Sequence, residues 1–154
     1  MGTYRVAFIG CGPRGVAHAR AYEHIARGTP VACADLKANR REAFAARFGV
    51  RPYADAAEMI EREKPHLVHV ATRPDARVAL LTLVSDLGVP ACTVEKPIAL
   101  GVSDWQCLCA LEASSSTRIA VCHQFRWHVH LVRCREALQS GELGSLELLY
   151  LSSG

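Results

Sequence analysis

The chain has 154 residues, half of them hydrophobic and 21% charged, with a formal net charge of +3, which is enough for one well-packed domain and short for two. The weak charge and scattered arginines argue against the basic stripe of a nucleic-acid binder. No apolar run reaches the ~18 residues of a membrane-spanning helix, MGTYRVAFIG holds no signal-peptide core, and Val6 breaks the myristoylation pattern.

The chain alternates between two periodicities. YRVAFIG is a β-rich run ending in glycine, and VAHARAYEHIARG reads as a helix closed by Gly28. PVACAD is a second strand. In REAFAARFG, Phe44 and Phe48 share a helical face and Gly49 is the stop. Asp55 and Glu58 form a capping box ahead of MIERE, which Pro65 ends. HLVHVA is a strand, and Pro74-Asp75 opens a helix with Leu80, Val84 and Leu87 on one stripe, stopped by Gly88. PACTV is a strand. Ser103 and Gln106 form another capping box, with Trp105, Leu108 and Leu111 on one face of the helix that follows. RIAVCH is a strand, residues 129–140 a helix, and SLELLYL a closing apolar strand. There is no internal repeat.

Strand–helix alternation over about 120 residues argues a doubly wound parallel α/β sheet, whose ligands bind at the carboxyl ends of the strands. Seven cysteines, at 11, 33, 92, 107, 109, 122 and 134, include no CxxC pair. They read as reduced, mostly buried thiols of a cytoplasmic protein. Cys122, His123, His128, His130 and Cys134 fit no standard zinc spacing, so no metal site is expected.

After the first strand comes GCGPRG, a G-x-G-x-x-G match comprising Gly10, Gly12, Pro13, Arg14 and Gly15. Gly10 suits the tight turn, Gly12 the approach of a pyrophosphate, and Gly15 the packing of helix on strand. The helix N-terminus then offers free N–H groups and a positive dipole to phosphates, and Pro13 suits its first turn. Asp35 ends the second strand twenty residues beyond Gly15, where an acid grips a ribose diol. Asp35 favours NAD; Lys37, Arg40 and Arg41 close by leave NADP open. In ATRPDAR, Thr72 offers a hydroxyl to the cofactor and Pro74 fixes the turn.

Glu95-Lys96-Pro97 follows PACTV, on the edge where nicotinamide is expected. There a partly desolvated lysine would take or polarise the proton of a substrate hydroxyl. Glu95 would orient it, and Pro97 would stiffen the turn, as a cis peptide if it adopts one.

These motifs resemble the N-terminal part of the Gfo/Idh/MocA oxidoreductases, from VAFIGCGPRG through CADLKANRREAFAARFG, ATRPDARVAL and VEKPIAL to SGELGSLELLYL. The resemblance implies a Rossmann-type NAD(P)-binding domain over 1–125, a connecting helix over 126–144, and over 145–154 the first strand of a C-terminal α+β substrate domain that is absent. It places Lys96 at the nicotinamide and substrate, Gly10, Gly12, Gly15 and Asp35 at the cofactor, and Arg126 of HQFRWH near the substrate. The implied reaction is hydride transfer with a sugar, polyol or related hydroxy compound. Arg77 departs from the family, many of whose members carry histidine there, and His123, His128 and His130 do not match its catalytic histidine.

Three readings share the glycine loop: an oxidoreductase reduced to its dinucleotide domain and inactive alone, a dinucleotide- or redox-sensing module, and a subunit completed by a partner chain. The apolar strand at 145–151 is expected to pair with a second copy, giving a homo-oligomer.

Overall fold

Six short strands pair in parallel in the order β3-β2-β1-β4-β5-β6: β1 (Tyr4–Ile9), β2 (Gly28–Ala34), β3 (Arg51–Tyr53), β4 (Leu67–Val70), β5 (Ala91–Val94) and β6 (Arg118–Val121). This computed structural model describes residues 3–142, 144, 145, 147, 148 and 150. Two compact units divide the chain, Met1–Cys122 and His123–Gly154. The first carries the sheet and helices α1 (Pro13–Ala21), α2 (Ala38–Phe48), α3 (Ala56–Glu63), α4 (Arg77–Asp86) and α5 (Val102–Ser114); the second carries α6 (Val129–Ser140). The order is that of a doubly wound Rossmann sheet, with its switch point between β1 and β4.

Alternation along the strands sorts the core onto two faces. Val6 and Phe8 of β1 pack with Cys33, Ala19 of α1 and Phe44 of α2. Ala7 and Ile9 pack with Met59 and Ile60 of α3, Leu81 and Val84 of α4, and Leu108 of α5. Between β1 and β2 the register slips at Val6/Ala7. Pro30 of β2 lies at this slip, and a residue without an N–H is tolerated in a sheet chiefly at an edge or a bulge.

Several local signals act as their chemistry dictates. Gly49 closes α2 at φ 66°, and the Asp55 side chain caps α3 by accepting from the Glu58 N–H. Lys64 ends α3 in the left-handed region, one residue before Pro65. Glu63, buried at the end of α3, accepts from Tyr53 Oη at 2.6 Å and pairs with Arg5 at 2.6 Å and Arg51 at 2.8 Å, tying α3 to β1 and β3.

Other expectations need correction. Gly28 does not close the first helix. That helix stops at Ala21, a one-turn 3-10 helix spans Tyr22–His24, and Gly28 opens β2. A Cβ on Gly28 would lie 2.3 Å from the Tyr22 ring, so a tertiary contact requires glycine there. Ser103 and Gln106 make no capping box; Gly101 is the N-cap of α5, and Asp104 accepts from the Leu100 N–H instead. Trp105 is 56% exposed while Leu108 is buried, so α5 presents a narrower face than its composition suggests. On α4 the buried line is Arg77, Leu81 and Val84. The thiols are not mostly buried: Cys107, Cys109 and Cys134 are exposed, Cys122 is intermediate, and Cys11, Cys33 and Cys92 are buried.

Strand β3 was not legible in the sequence, being three residues with a central proline. Of the expected strand at 145–151, residues 146, 149 and 151 lie outside the described residues. Its described residues carry no strand, and Leu148 and Tyr150 are each 85% exposed. Among the described residues no helix is long and apolar enough to cross a membrane.

Candidate functional site

The carboxyl ends of β1, β2, β4 and β5 hold the residues singled out above. The turn after β1 is closed by three backbone bonds: Gly10 N–H to Ala34, Ala71 N–H to Ile9, and Val16 N–H to Gly12. Gly10 has φ +98°, and a Cβ there would stand 2.7 Å from the Ala71 carbonyl oxygen. At Gly15 the added atom would lie 2.0 Å from the Gly10 carbonyl oxygen, so helix and turn touch through backbone alone.

Helix α1 begins at Pro13 with Gly12 as N-cap and no side-chain cap. The first-turn N–H groups of Arg14 and Gly15 therefore have no partner within the helix. Gly12 is open by contrast: a Cβ there would meet only the Arg40 guanidinium, at 3.8 Å. Uncapped donors, a positive helix end and an unfilled space are the features that suit a helix start to an anion.

Asp35 flanks this helix start. One carboxylate oxygen accepts from the Cys11 N–H and the other from the Lys37 N–H, both at 2.8 Å. The carboxylate thus holds the glycine loop as well as facing the edge. Arg41 donates to the Asp35 carbonyl oxygen at 3.4 Å, so Arg40 and Arg41 both turn toward this edge.

Between β4 and β5 the decisive side chain is Arg77, which in the sequence stands out only as a departure from the resemblance. It is 3% exposed, and its guanidinium donates to the carbonyl oxygens of Pro97 and, at 2.9 Å, Thr72. It therefore staples the turn after β4 to the Lys96-Pro97 turn, whose peptide bond is cis. Burial pushes its guanidinium down from the usual arginine value. Thr72 Oγ1 donates to the Arg73 carbonyl oxygen at 3.3 Å, and Pro74 opens a one-turn 3-10 helix ahead of α4.

Glu95 and Lys96 turn different ways. Lys96 is exposed and forms no ion pair among the described residues. Glu95 is 6% exposed; it meets His18 Nε2 of α1 at 2.9 Å and Arg14 Nε at 4.0 Å. The carboxylate expected to orient Lys96 thus anchors α1 instead. Arg126 lies in the second unit, exposed, on a 3-10 turn at Gln124–Trp127.

Beneath α1 runs a polar line that the sequence did not announce. His69 of β4 is 8% exposed; its Nε2 shares a hydrogen bond with Tyr22 Oη at 2.8 Å, and its Nδ1 with Thr93 Oγ1 at 2.5 Å. It stacks between Phe8 and His18, each at 5.1 Å between ring centroids. Burial, with His18 nearby, pushes His69 down to about 3, so it is neutral near neutral pH. Burial also pushes Tyr22 up to about 12. The sequence placed His69 on a strand, but nothing local named its facing or its partners.

Residues 4–123 match GFO_IDH_MocA, an oxidoreductase family with an NAD-binding Rossmann fold. The chain belongs to that family. It is 31% identical over 143 residues to a D-apiose dehydrogenase of Paraburkholderia graminis, an alignment covering 92% of this chain and 38% of the relative. A D-apiose dehydrogenase of Rhizobium rhizogenes is 27% identical, with 94% and 42% covered. Among solved structures, an oxidoreductase from Agrobacterium radiobacter in complex with NAD+, L-tartaric acid and magnesium superposes with a TM-score of 0.86 at 26% identity, covering 92% of this chain and 42% of that one. The chain thus spans about 40% of the length of the curated relatives it matches. The family and its NAD-binding fold accord with the expectation drawn from the glycine loop, Asp35 and the Glu-Lys-Pro turn.

Proposed function

We propose that this chain forms the dinucleotide-binding part of an NAD-dependent dehydrogenase of sugars, polyols or related hydroxy compounds. The observation that carries this reading is the uncapped start of α1: free N–H groups over an open Gly12, with Asp35 at its flank. These residues fit a dinucleotide. The first turn of α1, with Arg14 beside it, would hold the pyrophosphate, Asp35 the ribose hydroxyls, and the Thr72–Pro74 turn and Glu95-Lys96-Pro97 the nicotinamide end. When bound, NAD supplies a hydride acceptor.

What the chain adds is positioning and proton handling. Lys96, exposed at the strand edge, would take the hydroxyl proton of the substrate. Arg77 and Glu95 would hold the two turns in place. A positioned acid–base group contributes about 10²–10⁴-fold, and Lys96 supplies one such group, so we expect slow turnover from these residues alone. That the D-apiose dehydrogenases act on a sugar supports the substrate class. Arg126 is proposed at the substrate. Association of copies through residues 145–151 belongs to the same reading; Leu148 and Tyr150 are exposed there. Sedimentation that is unchanged when the chain is ended at Gly144 would remove this last point.

A second reading of cofactor choice rests on Arg40 and Arg41, which turn toward the Asp35 edge and would meet a 2′-phosphate. Calorimetric titration with NAD and NADP distinguishes the two. We expect NAD to bind more tightly, and Asp35→Ala to weaken NAD by about tenfold to a hundredfold, the range for hydrogen bonds to a charged group. Because Asp35 also holds the Cys11 N–H, loop disorder alone would weaken both cofactors equally. Equal loss, or no binding of either cofactor at millimolar ligand, would refute the assignment.

A further inference from the structure

Besides Arg14, Glu95 has two neighbours, His18 and Cys122, that have no role in the reading above. Val94 of β5 sits in register with Val121 of β6. The next residues, Glu95 and Cys122, are each tied by their N–H to the neighbouring strand, Glu95 to Val70 and Cys122 to Val94. Their side chains therefore leave adjacent strand ends on the same face, the one covered by α1, from which His18 descends. His18 Nε2, a Glu95 carboxylate oxygen and Cys122 Sγ all lie within 4.8 Å of one another.

We propose that His18, Glu95 and Cys122 form a binding site for one zinc ion. The donor set is one imidazole nitrogen, one carboxylate oxygen and one thiolate, each an ordinary zinc ligand. Donor atoms around a tetrahedral zinc stand about 3–4 Å apart, so the three atoms need only close inward. Three protein ligands leave a fourth position, the arrangement in which zinc takes a water or a hydroxyl oxygen.

Charge balances as well. Binding breaks the Cys122 S–H bond and releases that proton to solvent. A dication with one thiolate, one carboxylate and a neutral imidazole then carries no net charge. Burial, with Glu95 nearby, raises the Cys122 thiol above its ordinary value; the Thr93 hydroxyl opposes that shift and would hydrogen-bond the bound sulfur. His18 is oriented by stacking on His69.

Two cations oppose the metal. Arg14 stands 4.0 Å from Glu95 Oε2, but its side chain is 57% exposed and can withdraw into solvent. Arg77 is held through Nη1 and Nη2 by the Pro97 and Thr72 carbonyl oxygens, while its buried Nε makes no hydrogen bond. The site has no signature in the sequence because its three ligands come from three separate elements, with His18 and Glu95 77 positions apart.

Titration of the metal-free chain with Zn2+ against a chromophoric chelator, and with Co2+ as a spectroscopic probe, tests this without any cofactor. We expect one equivalent of zinc, and a cobalt complex showing thiolate-to-metal charge transfer with a tetrahedral ligand-field band. Both should persist when Cys107, Cys109 and Cys134, the exposed thiols, are changed to serine. Cys122→Ser should abolish the charge-transfer band, and His18→Gln should weaken zinc by more than about tenfold. Circular dichroism of each variant confirms that it is folded. The proposal fails if the wild-type chain shows no cobalt–thiolate band. It also fails if the band survives Cys122→Ser, or vanishes with the exposed thiols.

Discussion

Acid should destabilise this fold through His69, and the size of the effect follows from its surroundings. The ring is buried between Phe8 and His18, and its pKa is pushed from 6.5 down to about 3, first by burial and then by the charge of His18. Its hydrogen-bond partners are not the obstacle, since both the Tyr22 and Thr93 hydroxyls can accept from an imidazolium. The folded value lies below the unfolded one, so between the two the unfolded chain binds the extra proton. The stability contributed by neutral His69 is fully present above pH 6.5 and is lost as pH falls toward 3. At about 1.4 kcal/mol per pKa unit, the loss attributable to His69 is about 2 kcal/mol on going from about pH 7.5 to about pH 5.

The assay is urea unfolding of the wild-type chain and of His69→Gln at both pH values. The intrinsic cost of the substitution cancels in the comparison across pH. Wild type should lose about 2 kcal/mol more than the variant between the two conditions. Equal losses would refute the reasoning and show that His69 is not held neutral by its burial.

Two further perturbations test the framework of the site. Gly15→Ala places a methyl against the Gly10 carbonyl oxygen, backbone against backbone. It should cost about 1–3 kcal/mol in denaturant unfolding and weaken dinucleotide binding, and a variant of wild-type stability and affinity would contradict the close packing. Arg77→Met strips the donors from the Pro97 and Thr72 carbonyl oxygens. We expect a loss of about 2–4 kcal/mol, read by thermal and urea unfolding, and a change below about 0.5 kcal/mol would mean that solvent replaces the staple without cost.

Much was legible in the sequence because it is local. Alternating runs announced the strands, Gly49 and Asp55 marked the bounds of helices α2 and α3, and GCGPRG with Asp35 described a turn, a helix start and an acid at fixed separations. Each signal works within a few residues, through φ, a cap or a side-chain period, and needs no knowledge of what packs above it. Where a second contact intervened, the local signal misled. Gly28 looks like a helix stop but is glycine because the Tyr22 ring lies against it. The stripe on α4 runs through Arg77 because two carbonyl oxygens await its donors. Strand β3 exists through its pairing with β2 and not through any propensity of Arg-Pro-Tyr.

By itself, then, the sequence determined an α/β alternation, the phosphate-type turn after β1 and the place of Lys96 at a strand end. Only the tertiary structure decided that Glu95 turns from Lys96 to His18, that His69 is bonded to Tyr22 and Thr93, and that Cys122 joins His18 and Glu95. Parallel strands bring distant residues into register only after the crossovers have closed, so such side-chain neighbourhoods have no signature in a short stretch of chain.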